Sequence, residues 1–116
     1  MAGEVLERQG FGAGEVIFRV GEPPRCAYLI QSGAVDIVVA RSGKDEVVDS
    51  LAAGELLGEM ALVDARPRSA TAVANQATNC IVITRTDFEH RLEKSDPFVR
   101  SMVKVLVRRL RKSTGA

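Results

Sequence analysis

Short apolar stretches, separated by turns that contain glycine, run from residue 5 to residue 84. Val35, Ile37 and Val39 alternate with other side chains, which is the period of a half-buried strand. Ser32-Gly33, just before this stretch, predicts a tight hairpin turn. Strands this short and this regularly spaced are typical of an antiparallel sandwich or roll. We therefore predict a mainly β fold, a jelly-roll-like antiparallel β-roll of about eight strands over residues 5–84.

The end of the chain has a helical pattern instead. Thr86 and Glu89 fit a capping box, which predicts a helix over residues 86–94. Pro97 then opens a second helix over residues 97–112. This second helix carries a narrow apolar stripe made of Val99, Val103, Leu106 and Leu110. Because 116 residues suffice for one modest core, we expect residues 1–116 to form a single domain.

Charge is distributed unevenly along the chain. The net charge is only +1, which argues against a broadly basic nucleic-acid binder. Residues 97–116, however, hold six Lys or Arg and no acidic residue. This basic helix could be a solvated element packed on the roll, a lid over a ligand, or a contact for nucleic acid or membrane. Because no recognition helix follows it, we predict no nucleic-acid partner.

Several classes of protein are disfavoured by what the chain contains. No basic and apolar leader begins it, and no apolar run reaches the roughly 18 residues of a membrane span. Cys26 and Cys80 fit reduced, buried thiols better than a disulfide. We predict a cytosolic chain without membrane insertion, or a piece of a membrane protein on the cytosolic face. With His90 as its one histidine, we predict no catalytic residue, no metal and no cofactor, so the chain is not expected to be an enzyme.

The segment of residues 54–72 interrupts the strand pattern and carries the chemistry. Gly58 before Glu59-Met60-Ala61-Leu62 predicts one short helical turn, whose first N–H groups are free to bind a phosphate. Arg68 follows Pro67 at the start of the next strand, and a guanidinium offers paired donors to a phosphate. Glu59 would repel a phosphate, whereas it suits a ribose hydroxyl. The two charges predict a 3′,5′-cyclic nucleotide as the ligand, although a plain salt bridge or two unrelated surface charges would also account for them.

Gly58-Glu59-Met60-Ala61-Leu62 and Pro67-Arg68-Ser69-Ala70-Thr71 together resemble the phosphate-binding cassette of cyclic nucleotide-binding domains. These domains occur in protein kinase regulatory subunits, catabolite-activator-type regulators and cyclic nucleotide-gated channels. The resemblance extends from about residue 10 to residue 110 and includes Gly14-Glu15-Val16-Ile17-Phe18 and Tyr28-Leu29-Ile30. It therefore covers nearly the whole chain.

The resemblance implies a role for each matching residue of the cassette. Glu59 would bind the ribose 2′-hydroxyl, and Arg68 would bind the cyclic phosphate. The backbone N–H groups of Gly58, Met60 and Ala61 would help to hold that phosphate. Ser69 would place its hydroxyl near the phosphate or the base.

The resemblance also implies where the base lies. Ile37, Val48 and Leu51 match the apolar positions that contact the base, and the last helix matches the element that closes over it. Arg109 or Arg111 on that helix would then act as a lid. We accordingly predict a sensor or regulatory module that binds a cyclic nucleotide reversibly, preferring cAMP to cGMP.

The same resemblance leaves the context of the module open. It could be the cytosolic regulatory part of a channel, transporter or enzyme, and it could join an effector domain or a second copy through the C-terminal helix. The alternative is a degenerate pocket in a module that only associates with a protein partner, through that helix.

Overall fold

Two antiparallel four-stranded sheets form the body of the chain in the computed structural model, which describes residues 6–63 and 66–113. The strands are β1 (Glu7–Phe11), β2 (Val16–Phe18), β3 (Cys26–Ser32), β4 (Ala34–Arg41), β5 (Lys44–Ala52), β6 (Leu56–Leu57), β7 (Thr71–Ala74) and β8 (Thr78–Thr84). One sheet has the order β1-β8-β3-β6 and the other has the order β2-β7-β4-β5. The predicted β-roll is confirmed. Its predicted start at residue 5 and the predicted domain ends at residues 1 and 116 lie outside the described residues.

Apolar side chains from both sheets meet in one core. Ile30, Val35 and Leu57 are almost completely buried there. The predicted hairpin turn joins β3 to β4 at Gly33, where a side chain would overlap Thr78 and the left-handed backbone favours glycine. The two cysteines are both buried and free, in agreement with the prediction of reduced thiols.

The first helix, α1 (Arg85–Glu93), begins earlier than the sequence predicts. The predicted cap at Thr86 is wrong, because Thr84 is the last extended residue of β8 and its hydroxyl accepts a hydrogen bond from Asp87 N at 3.0 Å. Strand and helix are therefore continuous, and Thr86 already lies within the first turn. Thr84 takes the capping position because it is the residue whose backbone is still extended.

The second helix, α2 (Pro97–Ser113), begins at the predicted proline. Asp96 Oδ1 accepts a hydrogen bond from Phe98 N at 2.8 Å, as an N-cap residue does. No α2 residue is fully buried, and Val99 and Leu106 of the predicted apolar stripe are about half exposed. In the described parts of the chain, no helix has the length and apolar content needed to cross a bilayer.

Candidate functional site

A cavity of about 470 Å³ opens where β6 ends and the predicted helical turn begins. Gly58 follows β6 with a left-handed backbone (φ 70°), and a one-turn 3-10 helix, Glu59–Leu62, follows directly. We call this element the short helix. The cavity lies between the short helix, residues 66–70 and the lining residues of β4 and β5, namely Ile37, Asp49 and Leu51, which we call the β4–β5 wall. Its lining consists of Phe18, Pro24, Ile37, Asp49, Leu51, Leu56, Leu57, Gly58, Glu59, Met60, Ala61, Arg66, Pro67, Arg68, Ser69 and Ala70.

Arg68 is a buried cation in the wall of this cavity, with only 8% of its surface exposed. Its Nη2 donates to the Cys26 carbonyl at 2.6 Å, and its Nη1 donates at the longer distance of 3.3 Å to the Gly58 carbonyl. The backbone is fixed as well, because Arg68 N donates to Glu22 O at 2.9 Å and Gly21 N donates to Arg68 O at 2.8 Å. The guanidinium is thus held at the cavity by the carbonyls of Cys26 in β3 and of Gly58, while the Arg68 backbone is bonded to the turn at Gly21 and Glu22.

No carboxylate compensates the charge of Arg68 among the described residues. Its Nε is buried without a hydrogen-bond partner. A buried cation is costly unless it is paired, and unpaired N–H donors add to that cost. The arrangement therefore favours an anion that enters the cavity and accepts hydrogen bonds from the guanidinium.

An aromatic side chain supports the guanidinium in place of a carboxylate. The Arg68 Cζ atom lies 4.0 Å from the centroid of the Phe18 ring, within the range of a cation–π interaction. The Phe18 ring stacks in turn on Tyr28 at a centroid distance of 6.3 Å, and Tyr28 meets Phe11 edge to face at 6.0 Å. The position of Arg68 is consequently coupled to the aromatic part of the core.

Gly58 is required by the same guanidinium. A Cβ atom at this position would lie 2.5 Å from Arg68 Nη1 and 3.2 Å from the Phe18 ring. Together with the left-handed backbone, this close approach explains why glycine begins the short helix. The predicted glycine and arginine of the cassette are thus packed directly against each other.

Glu59 is the first residue of the short helix and is partly exposed in the cavity lining. Within the described part of the chain it forms no ion pair with Arg68, so the plain salt bridge that the sequence left open does not form. Glu59 and Arg68 nevertheless line the same cavity. A ligand with a phosphate at one side and a hydroxyl at another can reach both of them.

The structure brings most of the other predicted site residues to this cavity. Met60, Ala61 and Ser69 contribute to the lining, as do Ile37 and Leu51 from the β4–β5 wall. These are the positions to which the sequence resemblance gave contacts with the phosphate and the base.

Three predicted residues lie elsewhere in this arrangement. Val48 is not part of the lining, because β5 carries a bulge at this position: Ile37 pairs with Asp49 and Val38 with Val47. Arg109 and Arg111 of α2 also lie outside this cavity. Arg111 instead donates to the Val63 carbonyl at 2.8 Å, beside a second cavity between the short helix and the two α-helices.

The sequence reasoning missed Asp49, which lines the cavity, and the supporting role of Phe18. Alternation could have found Asp49, since it lies two positions from Leu51 and therefore on the same face of β5. Phe18 lies 50 positions before Arg68, so no local pattern could reveal their contact.

Comparison with known proteins identifies the family. A family profile described as Cyclic nucleotide-binding domain matches residues 8–95. The chain belongs to the cyclic nucleotide-binding domain family. The resemblance predicted from the sequence is therefore confirmed, and the cavity occupies the region of the cassette on which that prediction rested.

Curated members of the family are longer than this chain. The cyclic AMP receptor protein of Thermus thermophilus is 31% identical over 109 residues, which are 93% of this chain and 50% of the relative. A cAMP-dependent protein kinase regulatory subunit of Dictyostelium discoideum is 33% identical over 101 residues, which cover 84% of this chain and 31% of the relative. The chain thus spans half or less of the length of these relatives.

Solved structures of one enzyme share the fold of this cyclic nucleotide-binding domain. The half-site-occupied form of the EAL enzyme Bd1971 superimposes with a TM-score of 0.88 at 29% identity, over 95% of this chain and 99% of that chain. Its cAMP-bound and cGMP-bound forms superimpose with TM-scores of 0.71 and 0.72 at 29% and 30% identity. Each covers 94% of this chain, against 30% and 29% of the two solved chains.

Proposed function

We propose that this domain binds cAMP reversibly, in preference to cGMP, and acts as a sensor or regulatory module without catalytic activity of its own. The observation that carries the proposal is Arg68, a buried guanidinium at the cavity with no carboxylate partner among the described residues. A cyclic phosphate supplies the anion that such a cation requires.

Other residues of the same cavity lining complete the proposed site for the phosphate and the ribose. The backbone N–H groups of Gly58 and Met60 assist Arg68 in holding the phosphate, whereas the Ala61 N–H that the sequence also assigned to it already donates to the Gly58 carbonyl at 3.1 Å. Glu59, on the short helix, accepts a hydrogen bond from the ribose 2′-hydroxyl. Ser69 lies beside Arg68 in the lining and donates to the phosphate or the base. The ligand is thereby recognised by a cation and a carboxylate that do not neutralise each other.

The β4–β5 wall accepts the base. Ile37 and Leu51 are partly buried and offer an apolar surface to a purine. The bound forms of Bd1971 contain cAMP in one structure and cGMP in another, so relatives of this fold accept both purines. The preference of this chain must therefore come from its own side chains.

The relatives of the domain support a regulatory context for it. These include a kinase regulatory subunit and an EAL enzyme, proteins in which the matched region is a minor part of the chain. We propose that this domain likewise regulates an effector, which is a cytosolic enzyme domain, a channel or a transporter. The domain acts on that effector directly or through a second copy of itself. The exposed Arg108, Arg109 and Lys112 side chains of α2 are then the candidates for contact with that effector.

Calorimetric titration with cAMP tests the proposal. Arg68→Ala should reduce the binding free energy by about 2–5 kcal/mol, because the phosphate loses its main charge partner in a desolvated site. Arg19→Ala is the matched control, since Arg19 is an exposed arginine outside the lining. Saturable binding that both variants retain unchanged would refute the role of Arg68, and the absence of binding to the wild-type chain would refute the proposed function.

A second candidate function is association with a protein partner through α2, with a pocket that binds nothing. The exposed Phe98 and Leu106 side chains of that helix favour it. A pure interaction module would give no saturable signal with a fluorescent cyclic nucleotide. It would still lose its partner when Leu106 is replaced by a polar residue.

A further inference from the structure

Asp49 places a carboxylate on the wall where the base is proposed to lie. It is opposite Ile37 of β4, which is in turn opposite Ala72 of β7. Neighbouring strands are about 4.8 Å apart, so Asp49 lies about 10 Å across the sheet from β7, the strand that follows Arg68. The carboxylate and the guanidinium thus line one cavity, on strands or segments that lie on either side of β4.

The Asp49 side chain is oriented by its own backbone neighbour. Its Oδ1 accepts a hydrogen bond from Ser50 N at 2.8 Å. In the described ranges, no Lys or Arg forms an ion pair with it. One carboxylate oxygen is therefore fixed, and the other is left to accept a hydrogen bond from a ligand.

Asp49 is also the one charged residue that the β4–β5 wall contributes to the lining as described. Ile37 and Leu51 beside it have no polar side-chain atoms, and the other charged lining residues, Glu59, Arg66 and Arg68, come from the short helix and the segment before β7. Whatever polar recognition the wall offers to a base therefore depends on Asp49.

Purines differ in a way that an ionised carboxylate can distinguish. A carboxylate only accepts hydrogen bonds. Adenine carries a 6-amino group, which donates, whereas guanine carries a 6-oxo group, which accepts. A carboxylate that faces position 6 from the N7 side of the ring is therefore matched to adenine and repels guanine, whereas one on the other side would meet the N1–H donor of guanine.

We propose that Asp49 is the residue that selects adenine over 6-oxopurines, by accepting a hydrogen bond from the 6-amino group. The inference rests on the proposed function, because it concerns the base end of the same cavity. It assigns the purine preference to one side chain of β5, and it requires neither the lid nor Ser69.

Competition binding with cAMP, cGMP and cIMP tests this assignment. Cyclic IMP has the 6-oxo group of cGMP but lacks its 2-amino group, so the ratio of the cAMP and cIMP affinities reports on position 6. The wild-type chain should bind cAMP about tenfold more tightly than cIMP, the size expected for a charged hydrogen bond that is partly exposed to solvent. Asp49→Asn should bring this ratio close to one, since an amide can either donate or accept.

Asp45→Asn is the matched control, because Asp45 is an exposed aspartate of the same strand outside the lining. It should leave the ratio unchanged. An unchanged ratio in Asp49→Asn, or an equal loss for all three nucleotides, would overturn the role of Asp49 while leaving cyclic nucleotide binding intact. Failure of the wild-type chain to bind any of them would instead overturn the proposed function, and this inference with it.

Discussion

The Arg68 guanidinium lies over the ring of Phe18, with 4.0 Å between Cζ and the ring centroid. This contact holds the cation beside the cavity. A carboxylate partner would neutralise the charge, whereas the aromatic ring does not. The guanidinium consequently keeps its full charge for a ligand. The backbone carbonyls of Cys26 and Gly58 fix its direction.

Replacing Phe18 should weaken cAMP binding through its effect on Arg68, even if Phe18 itself does not contact the phosphate. In Phe18→Leu the cation–π interaction is lost, and we expect affinity to fall about two- to thirtyfold, in line with its usual strength of about 0.5–2 kcal/mol. Phe18→Tyr keeps an aromatic face and should stay within about twofold of the wild-type chain. Titration calorimetry of both variants checks this, and equal losses in the two would contradict it.

Replacing Gly58 and Gly54 in turn by alanine separates the effect of a steric clash with Arg68 from the effect of the left-handed backbone. Gly58→Ala introduces a methyl group 2.5 Å from Arg68 Nη1, so the guanidinium must move and cAMP affinity should fall by more than about tenfold. Gly54→Ala is the control, because Gly54 has the same left-handed backbone with nothing within 4 Å of a Cβ. Both variants should lose about 1 kcal/mol of stability in thermal unfolding. A similar affinity in the two would mean that the clash is relieved elsewhere.

Glu59 should act on the ribose alone. Glu59→Gln weakens acceptance from the 2′-hydroxyl, and we expect about a five- to fiftyfold loss of affinity for cAMP. For 2′-deoxy-cAMP, which lacks that hydroxyl, the wild-type chain and the variant should bind about equally. A double-mutant cycle with these two ligands measures the coupling. Additive losses would show that the carboxylate faces something other than the ribose.

Arg111 fastens the last turns of α2 to the end of the short helix through its 2.8 Å hydrogen bond to the Val63 carbonyl. Arg111→Ala should therefore speed amide hydrogen exchange over residues 105–113, whereas Lys112→Ala, on the same turn, should not. If α2 closes over the base as the sequence resemblance predicts, Arg111 must leave Val63, and cAMP should alter exchange in the same segment. Identical exchange with and without cAMP would exclude closure.

Buried Tyr28 should lower the stability of the fold at alkaline pH. Burial of the phenol, and then hydrogen bonding with the Cys26 side chain, raise the pKa of Tyr28 well above its ordinary range. The neutral phenol is thus favoured in the folded state, so its stabilising contribution is complete below the unfolded-state pKa of about 10 and is lost as the pH rises above it. Tyr28→Phe should flatten the fall of the melting temperature between pH 9 and pH 11, measured by circular dichroism. An unchanged slope would contradict this.

The strand pattern and the cassette could be predicted from the sequence because both are local. Alternation and glycine turns specify the roll, and the residues from Gly58 to Ser69 are close together in the chain. The residue of β5 that lies opposite Ile37 could not be predicted, because the assignment of Val48 to the base rested on the family resemblance and β5 carries a bulge at Val48. Alternation along β5 would have placed Asp49 on the face of Leu51, but a bulge is a property of two paired strands, so the pairing of Asp49 with Ile37 is invisible in β5 alone.

The start of α1 and the support of Arg68 were missed for related reasons. Thr84 and Thr86 are both acceptable caps by sequence, and only the point at which β8 stops being extended decides between them. The partners of Arg68 at Cys26 and Phe18 come from strands more than 40 positions away. Contacts at such separation are created by the pairing of strands and leave no periodic signal.

The contact between Gly58 and Arg68 also determines which parts of the domain can be redesigned. Position 58 accepts no side chain without displacing the cation, so the two positions can be altered only together. A biosensor built on this scaffold would have to obtain new ligand selectivity from the β4–β5 wall. In that wall Asp49 is exposed, and Ile37 and Leu51 are only partly buried against the core, so libraries that vary Asp49 freely and keep the other two positions apolar should retain the fold while the phosphate end is left untouched.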